Sequence, residues 1–156
     1  MNDIDRAIAK QEPFGLSRFI IAQEKIYDRV LSELENGYKQ SHWMWYIFPQ
    51  LDGLAQSATS KYYAIKSIEE AVAYLNHSIL GSRLLQCAEM VYGIEKKTVL
   101  DIFGYPDDLK LKSSMTLFSE VADERVFVSI LDKYFQSERD LKTLQLLKQL
   151  QQKNGH

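Results

Sequence analysis

The sequence predicts an all-α protein, a compact multihelical single domain of about seven or eight helices. Three observations carry this prediction. The chain has 156 residues, which is the usual length of one domain. Apolar residues recur with a period near 3.6, and capping residues or glycines stand at the ends of the periodic segments. Strand-type alternation is nearly absent, since its one candidate, residues 125–130, fits a helix equally well.

The first half of the chain divides into four predicted helices, each with an end signal. Gly37 and Gly93 follow the last apolar residues of the first and the fourth. Ser67 and Glu70 have the Ser-x-x-Glu spacing of a capping box at the start of the third. These helices cover residues 16–36, a short segment capped by Ser41, residues 67–75 and residues 79–92.

The second half of the chain predicts four further helices. Thr98 begins a short one that Gly104 closes. Pro106 suits a first helical position, and Asp107 and Asp108 suit the positive end of a helix dipole. The four segments cover residues 98–104, 106–121 and 124–135, and a last helix that Asp140 caps, to about residue 150.

These helices are expected to form one globular domain, residues 14–150, between a short N-terminal segment, residues 1–13, and a C-terminal tail, residues 151–156. The N-terminus is polar and lacks the apolar core of a secretory signal. No apolar run approaches the roughly 20 residues that span a bilayer. Cys87 is the only cysteine, so no internal disulfide can form. We therefore expect a cytoplasmic, soluble protein with no membrane association.

Charge and motif content exclude several classes of function. The 19 Lys and Arg against 21 Asp and Glu give a net charge of −2, which argues against a dedicated nucleic-acid binder. The phosphate-binding loop, Gly-x-Gly-x-x-Gly, His-Glu-x-x-His and Gly-x-Ser-x-Gly are all absent. The histidines show no metal-ligand spacing, so the sequence implies neither a metal nor a cofactor. It names no protein partner.

Polar side chains interrupt the apolar faces of two predicted helices. Gln23 falls in the middle of the apolar arc of the first helix. Either core partners satisfy its amide, or it lines a pocket. Lys110 and Ser114 lie inside the apolar arc of the helix that starts at Pro106, whereas Thr116 falls on the opposite, solvated side. Lys110 either extends its charge to solvent or faces an anion, from a carboxylate or from a ligand.

The segment SHWMWYIFPQ, residues 41–50, is the densest signal in the chain. Its apolar side chains cover almost the whole circumference of a short helix, so most faces of that helix must be buried. His42 is either a satisfied structural histidine or a ligand or base. Trp43 and Trp45 either belong to the core or form an aromatic wall for a flat ligand.

Several of these runs together resemble one family. The runs are KQSHWMWYIFPQLDGL at residues 39–54, IFGYPD at 102–107 and KLKSSMTLF at 110–118. Over about residues 14–147 the chain resembles the family of domain of unknown function 1810. The resemblance implies an all-helical fold and no established activity. Relatives sometimes carry a calpastatin label, which the composition contradicts, since calpastatin-type inhibitors are disordered polar chains. The resemblance also implies relatives joined to ADP-ribose-handling macro domains, which favours a nucleotide-like ligand.

Two hypotheses of function follow. In the first, the protein binds, and as an enzyme would process, a small anionic, nucleotide-like ligand in a pocket lined by the SHWMW and KLKSSMT segments. In the second, it is a structural or protein-interaction module without catalytic activity. The discriminating observation is whether Gln23, His42, Lys110 and Ser114 converge on one solvent-connected cavity or on a closed hydrogen-bonded network.

The first hypothesis gives each candidate residue a role. Lys110 neutralises a phosphate, the serines donate hydrogen bonds and a tryptophan stacks on the ligand. His42 is the candidate for moving a proton, because histidine titrates near neutral pH. The candidate ligand-binding residues are Gln23, Lys39, His42, Trp43, Trp45, Gln50, Lys110, Ser113 and Ser114.

Overall fold

Ten helices and no strand occupy the part of the chain described by the computed structural model, residues 13–154. This confirms the all-α prediction. Two short extended segments of the described chain contact each other through an isolated parallel bridge between Leu51 and Ile65, which does not extend into a strand. The helices are α1 (Ser17–Glu24), α2 (Tyr27–Glu35), α3 (Met44–Ile47), α4 (Ala58–Tyr63), α5 (Ile68–Asn76), α6 (Leu80–Gly93), α7 (Val99–Phe103), α8 (Asp107–Val121), α9 (Arg125–Phe135) and α10 (Leu141–Asn154).

The prediction of one helix over residues 16–36 is wrong, because the chain turns between α1 and α2. The N–H of Ile26 donates to the carbonyl of Gln23 at 3.1 Å, and Ile26 has φ −130°, outside the helical range. Both halves still bury an apolar face, with Phe19 in α1 and Val30 in α2 fully enclosed. Neither Gly nor Pro marks this break, so the apolar periodicity runs through it.

The prediction that Ser41 caps the tryptophan-rich helix is also wrong. That helix, α3, begins at Met44 without a side-chain cap, and the Ser41 hydroxyl donates instead to Glu33 at 2.6 Å. Helix α4 was not predicted; Ser57 caps it by accepting the N–H of Ser60. Helix α4 and the break between α1 and α2 bring the number of helices in the described chain to ten, against the seven or eight predicted.

The other predicted helix starts agree with the structure. Thr98 and Asp101 each accept the other's backbone N–H, which is a complete capping box. Ser67 accepts the N–H of Glu70, but the Glu70 carboxylate accepts the N–H of Lys66 and not that of Ser67, so only half of the predicted capping box forms. Asp140 accepts the N–H of Thr143. These local contacts satisfy N–H groups that the first turn of a helix leaves unpaired.

Helix α8 is the centre of the fold, since α3, α5, α7, α9 and α10 all pack against it. The prediction that Thr116 lies on its solvated side is wrong, because α10 covers that side. The Thr116 hydroxyl donates to the carbonyl of Lys112 at 2.8 Å and accepts the N–H of Asp140 at 2.9 Å. A polar side chain thus joins two helices inside the core.

The predicted domain boundaries fall near the limits of the described chain. Of the predicted N-terminal segment, residues 1–12 lie outside it. Of the predicted tail, residues 151–154 belong to α10, and residues 155–156 lie outside the described chain. None of the helices between residues 13 and 154 has the length and apolar content that crossing a membrane requires.

Candidate functional site

Glu33, a buried carboxylate of α2, holds the start of the tryptophan-rich segment in place. Its Oε1 accepts the N–H groups of Gln40 (2.8 Å) and Ser41 (3.0 Å) and the indole N–H of Trp43 (2.9 Å), while Oε2 accepts the Ser41 hydroxyl. Burial by itself raises the pKa of Glu33, but these four hydrogen bonds to the ionised form outweigh it and lower the pKa to about 2. The carboxylate therefore stays charged and fully engaged at neutral pH.

Two of the predicted lysines meet at one carboxylate, and we name Lys39, Asp107 and Lys110 the lysine–aspartate cluster. Lys39 Nζ lies 2.6 Å from Asp107 Oδ2, and Lys110 Nζ lies 3.2 Å from Asp107 Oδ1. Each ammonium also faces an indole ring, Lys39 over Trp43 and Lys110 over Trp45, at 5.1 and 4.1 Å from the ring centroids. The Lys39 side chain is 5% exposed and that of Lys110 is 22% exposed, so only Lys110 reaches solvent.

Gln23 belongs to a second, separate network. Its amide nitrogen donates to the carbonyl of Tyr46 at 2.6 Å and to the hydroxyl of Tyr74 at 3.2 Å. Its amide oxygen accepts from Arg83 at 3.2 Å. The Tyr74 hydroxyl donates to the same Tyr46 carbonyl, so the network closes on itself inside the core.

The two serine candidates are enclosed by the fold. Ser113 donates to the carbonyl of Leu109, one turn earlier in α8. Ser114 is completely buried, and its hydroxyl has no hydrogen-bond partner among the described residues. With none of its surface exposed, Ser114 is not accessible to a ligand.

The remaining candidates lie closer to solvent. His42 is exposed, whereas Trp45 and Gln50 are half-buried beside a cavity of about 10 Å³, which holds about one water molecule. Gln23, His42, Lys110 and Ser114 therefore do not share one cavity. The fold brings Lys39, Lys110, Trp43 and Trp45 together and leaves Gln23 and Ser114 elsewhere.

A larger concavity has Glu33 among its lining residues, and we name it the α2 cleft. Its volume is about 530 Å³, within the range of small-molecule sites. One wall is α2, a second is the segment after it, and Lys97 closes the side from the loop between α6 and α7. The lining residues are Arg29, Ser32, Glu33, Asn36, Tyr38, Gln40, Ser41 and Lys97.

The α2 cleft carries positive charge that no carboxylate pairs. Arg29 is exposed and forms no ion pair with any described residue. Lys97 donates to the carbonyl of Gly37 at 2.9 Å, and no described carboxylate lies within ion-pair distance of it. Tyr38 is 54% exposed, so its ring is open to a ligand. The cleft offers two cations, an aromatic face and several hydrogen-bonding side chains. Its one carboxylate, Glu33, is occupied by four internal hydrogen bonds, so the cleft keeps a net positive charge.

Sequence reasoning missed all eight residues that line the α2 cleft, since none of them is among the nine candidate ligand-binding residues. The sequence pattern places the charged and aromatic ones on helix faces that it predicts to be solvated or in loops, where charged and polar side chains are the rule. These residues are Arg29, Glu33, Tyr38 and Lys97. Only Gly37, just before Tyr38, gave a signal, as the end of a helix. The cleft exists because the Glu33 carboxylate binds the backbone of Gln40 and Ser41 and so holds the segment after α2 against that helix. The apolar periodicity of the sequence does not predict this contact.

Within residues 13–154 no group of three or more His, Cys, Asp or Glu side chains is placed to hold a metal ion.

Comparison with known proteins finds two similarities. A family model described as protein of unknown function (DUF1810) matches residues 13–147. The crystal structure of a conserved hypothetical protein from Mycobacterium tuberculosis is similar, with a TM-score of 0.87 and 47% sequence identity, covering 88% of this chain and 99% of that one. No curated protein matches the sequence.

Proposed function

The chain belongs to the DUF1810 family, and with that membership as the starting point we propose that the protein binds a small anionic, nucleotide-like ligand in the α2 cleft. One observation carries the proposal: a cleft of about 530 Å³ holds Arg29 and Lys97, neither of which pairs with a described carboxylate, beside the exposed ring of Tyr38. Cations with donors free for a ligand are what phosphate recognition needs.

The proposal assigns a role to each wall. Arg29 binds phosphate oxygens through its planar fork, and Lys97 adds a point charge. The Tyr38 ring stacks on a flat group such as a base. Ser32 and Gln40 hydrogen-bond to the polar edges of the ligand.

The tryptophan-rich and KLKSSMT segments support the cleft in this proposal. Ser41 lines it, and Glu33 fixes Ser41. Lys39 ties the same segment to α8 through Asp107. If the protein also processes its ligand, the exposed His42, next to Ser41, is the group that we expect to move a proton. The expectations of a cytoplasmic location and of no nucleic-acid partner stay predictions.

A second candidate function is a structural or protein-interaction module. The observation in its favour is that Gln23, Trp43 and Ser114 are buried in the core, and that Gln23 and Trp43 have internal partners. In this alternative the unusual family segments serve to join helices, and the α2 cleft stays empty of ligand.

Calorimetric titration with AMP, ADP and inorganic phosphate tests the proposal. We expect AMP to bind the wild type, and Arg29→Gln or Lys97→Gln to weaken binding roughly 10- to 100-fold, as loss of a hydrogen bond to a charged group would. The matched controls are Arg125→Gln and Lys142→Gln, at exposed positions of α9 and α10, which should bind like the wild type. Absence of binding by all three compounds at millimolar concentration would leave the structural module standing.

A further inference from the structure

A second cleft adjoins the α2 cleft and differs from it in chemistry. It has a volume of about 450 Å³, and Leu34, Met90 and Ile94 give it apolar surface. Both clefts are lined by Asn36 and Lys97, so they meet along these two side chains. The two clefts are therefore neighbours, with Asn36 and Lys97 at their common boundary.

Two glycines lie in the wall of the second cleft. Gly37 lies in its wall with φ +70°, and a Cβ there would stand 3.2 Å from Lys97 Nζ and 3.5 Å from Ile94 Cγ2. Gly93, the last residue of α6, also lines the cleft, and a Cβ there would meet no atom within 4 Å. The bare backbone at both positions leaves room that side chains would fill.

The charges of the two clefts differ in sign. Glu35 and Glu95 line the second cleft, and Glu95 forms one long ion pair with Lys133, at 3.5 Å. Arg29, Lys97 and Glu33 line the first, which therefore has a net charge of +1, and Lys97 also lines the second, where it leaves a net charge of −1 beside Glu35 and Glu95. A second anionic group in the second cleft would lie beside these carboxylates and be repelled.

We infer that the ligand has two parts, an anionic group held in the α2 cleft and an uncharged, largely apolar or aromatic body held in the second cleft. This inference rests on the proposed function, and it narrows the ligand class to phosphate monoesters of aromatic or apolar alcohols with one charged end. Nucleoside monophosphates belong to this class. Compounds with phosphates at both ends do not.

Titration with inorganic phosphate, phenyl phosphate and AMP tests the inference. Phenyl phosphate and AMP should bind the wild type at least 10-fold more tightly than phosphate does. Gly93→Leu should abolish this advantage and leave the affinity for phosphate unchanged, because Gly93 lines the second cleft only and a side chain there meets no atom that would hold it away from the cleft. Ser82→Leu, at an exposed position of the same helix, is the matched control and should keep the advantage.

The outcomes separate the inference from the proposed function. Equal affinities for phosphate and phenyl phosphate, with both lost in Arg29→Gln, would overturn the two-part ligand while the α2 cleft stayed an anion site, because Arg29 lines only that cleft. Absence of binding by all three compounds would overturn both. A second variant guards against misfolding of Gly93→Leu. The exposed Glu35→Gln should tighten the binding of adenosine 3′,5′-bisphosphate by a larger factor than that of AMP, because it removes a carboxylate that repels the second phosphate, and equal factors would count against the inference.

Discussion

The carboxylate of Glu33 accepts the four hydrogen bonds that fix the segment after α2. Burial by itself raises the pKa of Glu33. Four hydrogen bonds donated to the ionised carboxylate outweigh burial, so the pKa in the folded protein is about 2, against an ordinary value of 4.5. A carboxyl group with a lowered folded-state pKa contributes stability above its unfolded-state pKa. That contribution is lost as pH falls through the folded-state pKa.

We therefore predict that Glu33 contributes about 3 kcal/mol to the free energy of unfolding above about pH 5, and that this contribution fades between pH 4.5 and pH 2. Glu33→Gln should lose stability at pH 7, because an amide places its own N–H groups against existing donors. Urea unfolding of both proteins at several pH values measures the difference. A difference that stays constant down to pH 2 would contradict the lowered pKa.

The lysine–aspartate cluster leads to a second prediction at the scale of single residues. Asp107→Asn removes the counter-ion of Lys39, whose side chain is 5% exposed, and should cost about 3–5 kcal/mol. Lys110→Met should cost at most about 1 kcal/mol, since Lys110 reaches solvent and Asp107 keeps Lys39. Chemical denaturation of both variants at neutral pH gives the comparison. Equal losses would show that Lys39 does not depend on Asp107.

The positions of polar residues on the apolar faces of predicted helices identify some of these residues but not their partners. Gln23 and Lys110 stood out because a polar side chain on an apolar arc needs a partner. The partners of Gln23, Tyr46 and Arg83, depend on how the helices cross, which the sequence does not show. The partner of Lys110, Asp107, lies three residues before it, a spacing that is too common between acidic and basic residues to identify an ion pair. Glu33 gave no such signal, as it looks like any charged residue of an amphipathic helix.

At the scale of helices, α5 and α6 meet at Gly81 too closely for any side chain. A Cβ at Gly81 would lie 1.8 Å from the carbonyl oxygen of Leu75, which is backbone and cannot turn aside. We predict that Gly81→Ala destabilises the fold by about 3 kcal/mol. Gly93→Ala, at the other end of the same helix and facing open space, should change stability by no more than about 1 kcal/mol, in the stabilising direction. Thermal unfolding of the two variants decides, and similar midpoints would contradict the close contact.

Helix ends were predictable where the signal is local. The caps at Ser67, Thr98 and Asp140 each join residues three apart, so the sequence alone contains both partners. The turn at Ile26 was not predictable, because the apolar period continues across it. The burial of Thr116 depends on where α10 lies, and periodicity within α8 holds no information about that.

At the scale of the whole molecule, Trp43 connects elements that are distant in sequence. Its indole N–H binds Glu33 of α2, and its ring packs against Phe48 and against Phe103 of α7. We predict that Trp43→Ala costs about 3–5 kcal/mol and that unfolding stays a single transition, because the cavity lies in the shared core. Trp45→Ala, at a half-buried position, should cost less than half as much. A denaturation midpoint near that of the wild type for Trp43→Ala would contradict this.

The bond between Glu33 and Trp43 has a kinetic consequence, since it closes a loop of only ten residues. Loops of that length close in about 10–100 ns, so most of the wall of the α2 cleft can form before distant helices arrive. We expect Lys97, sixty residues away from Gly37, to complete the cleft later in folding, because the closure of a longer loop costs more entropy. The same order holds in reverse for native fluctuations: release of the Lys97 contact opens the cleft while the rest of its wall stays intact, so amide hydrogens near residue 97 should exchange faster than those of residues 33–43.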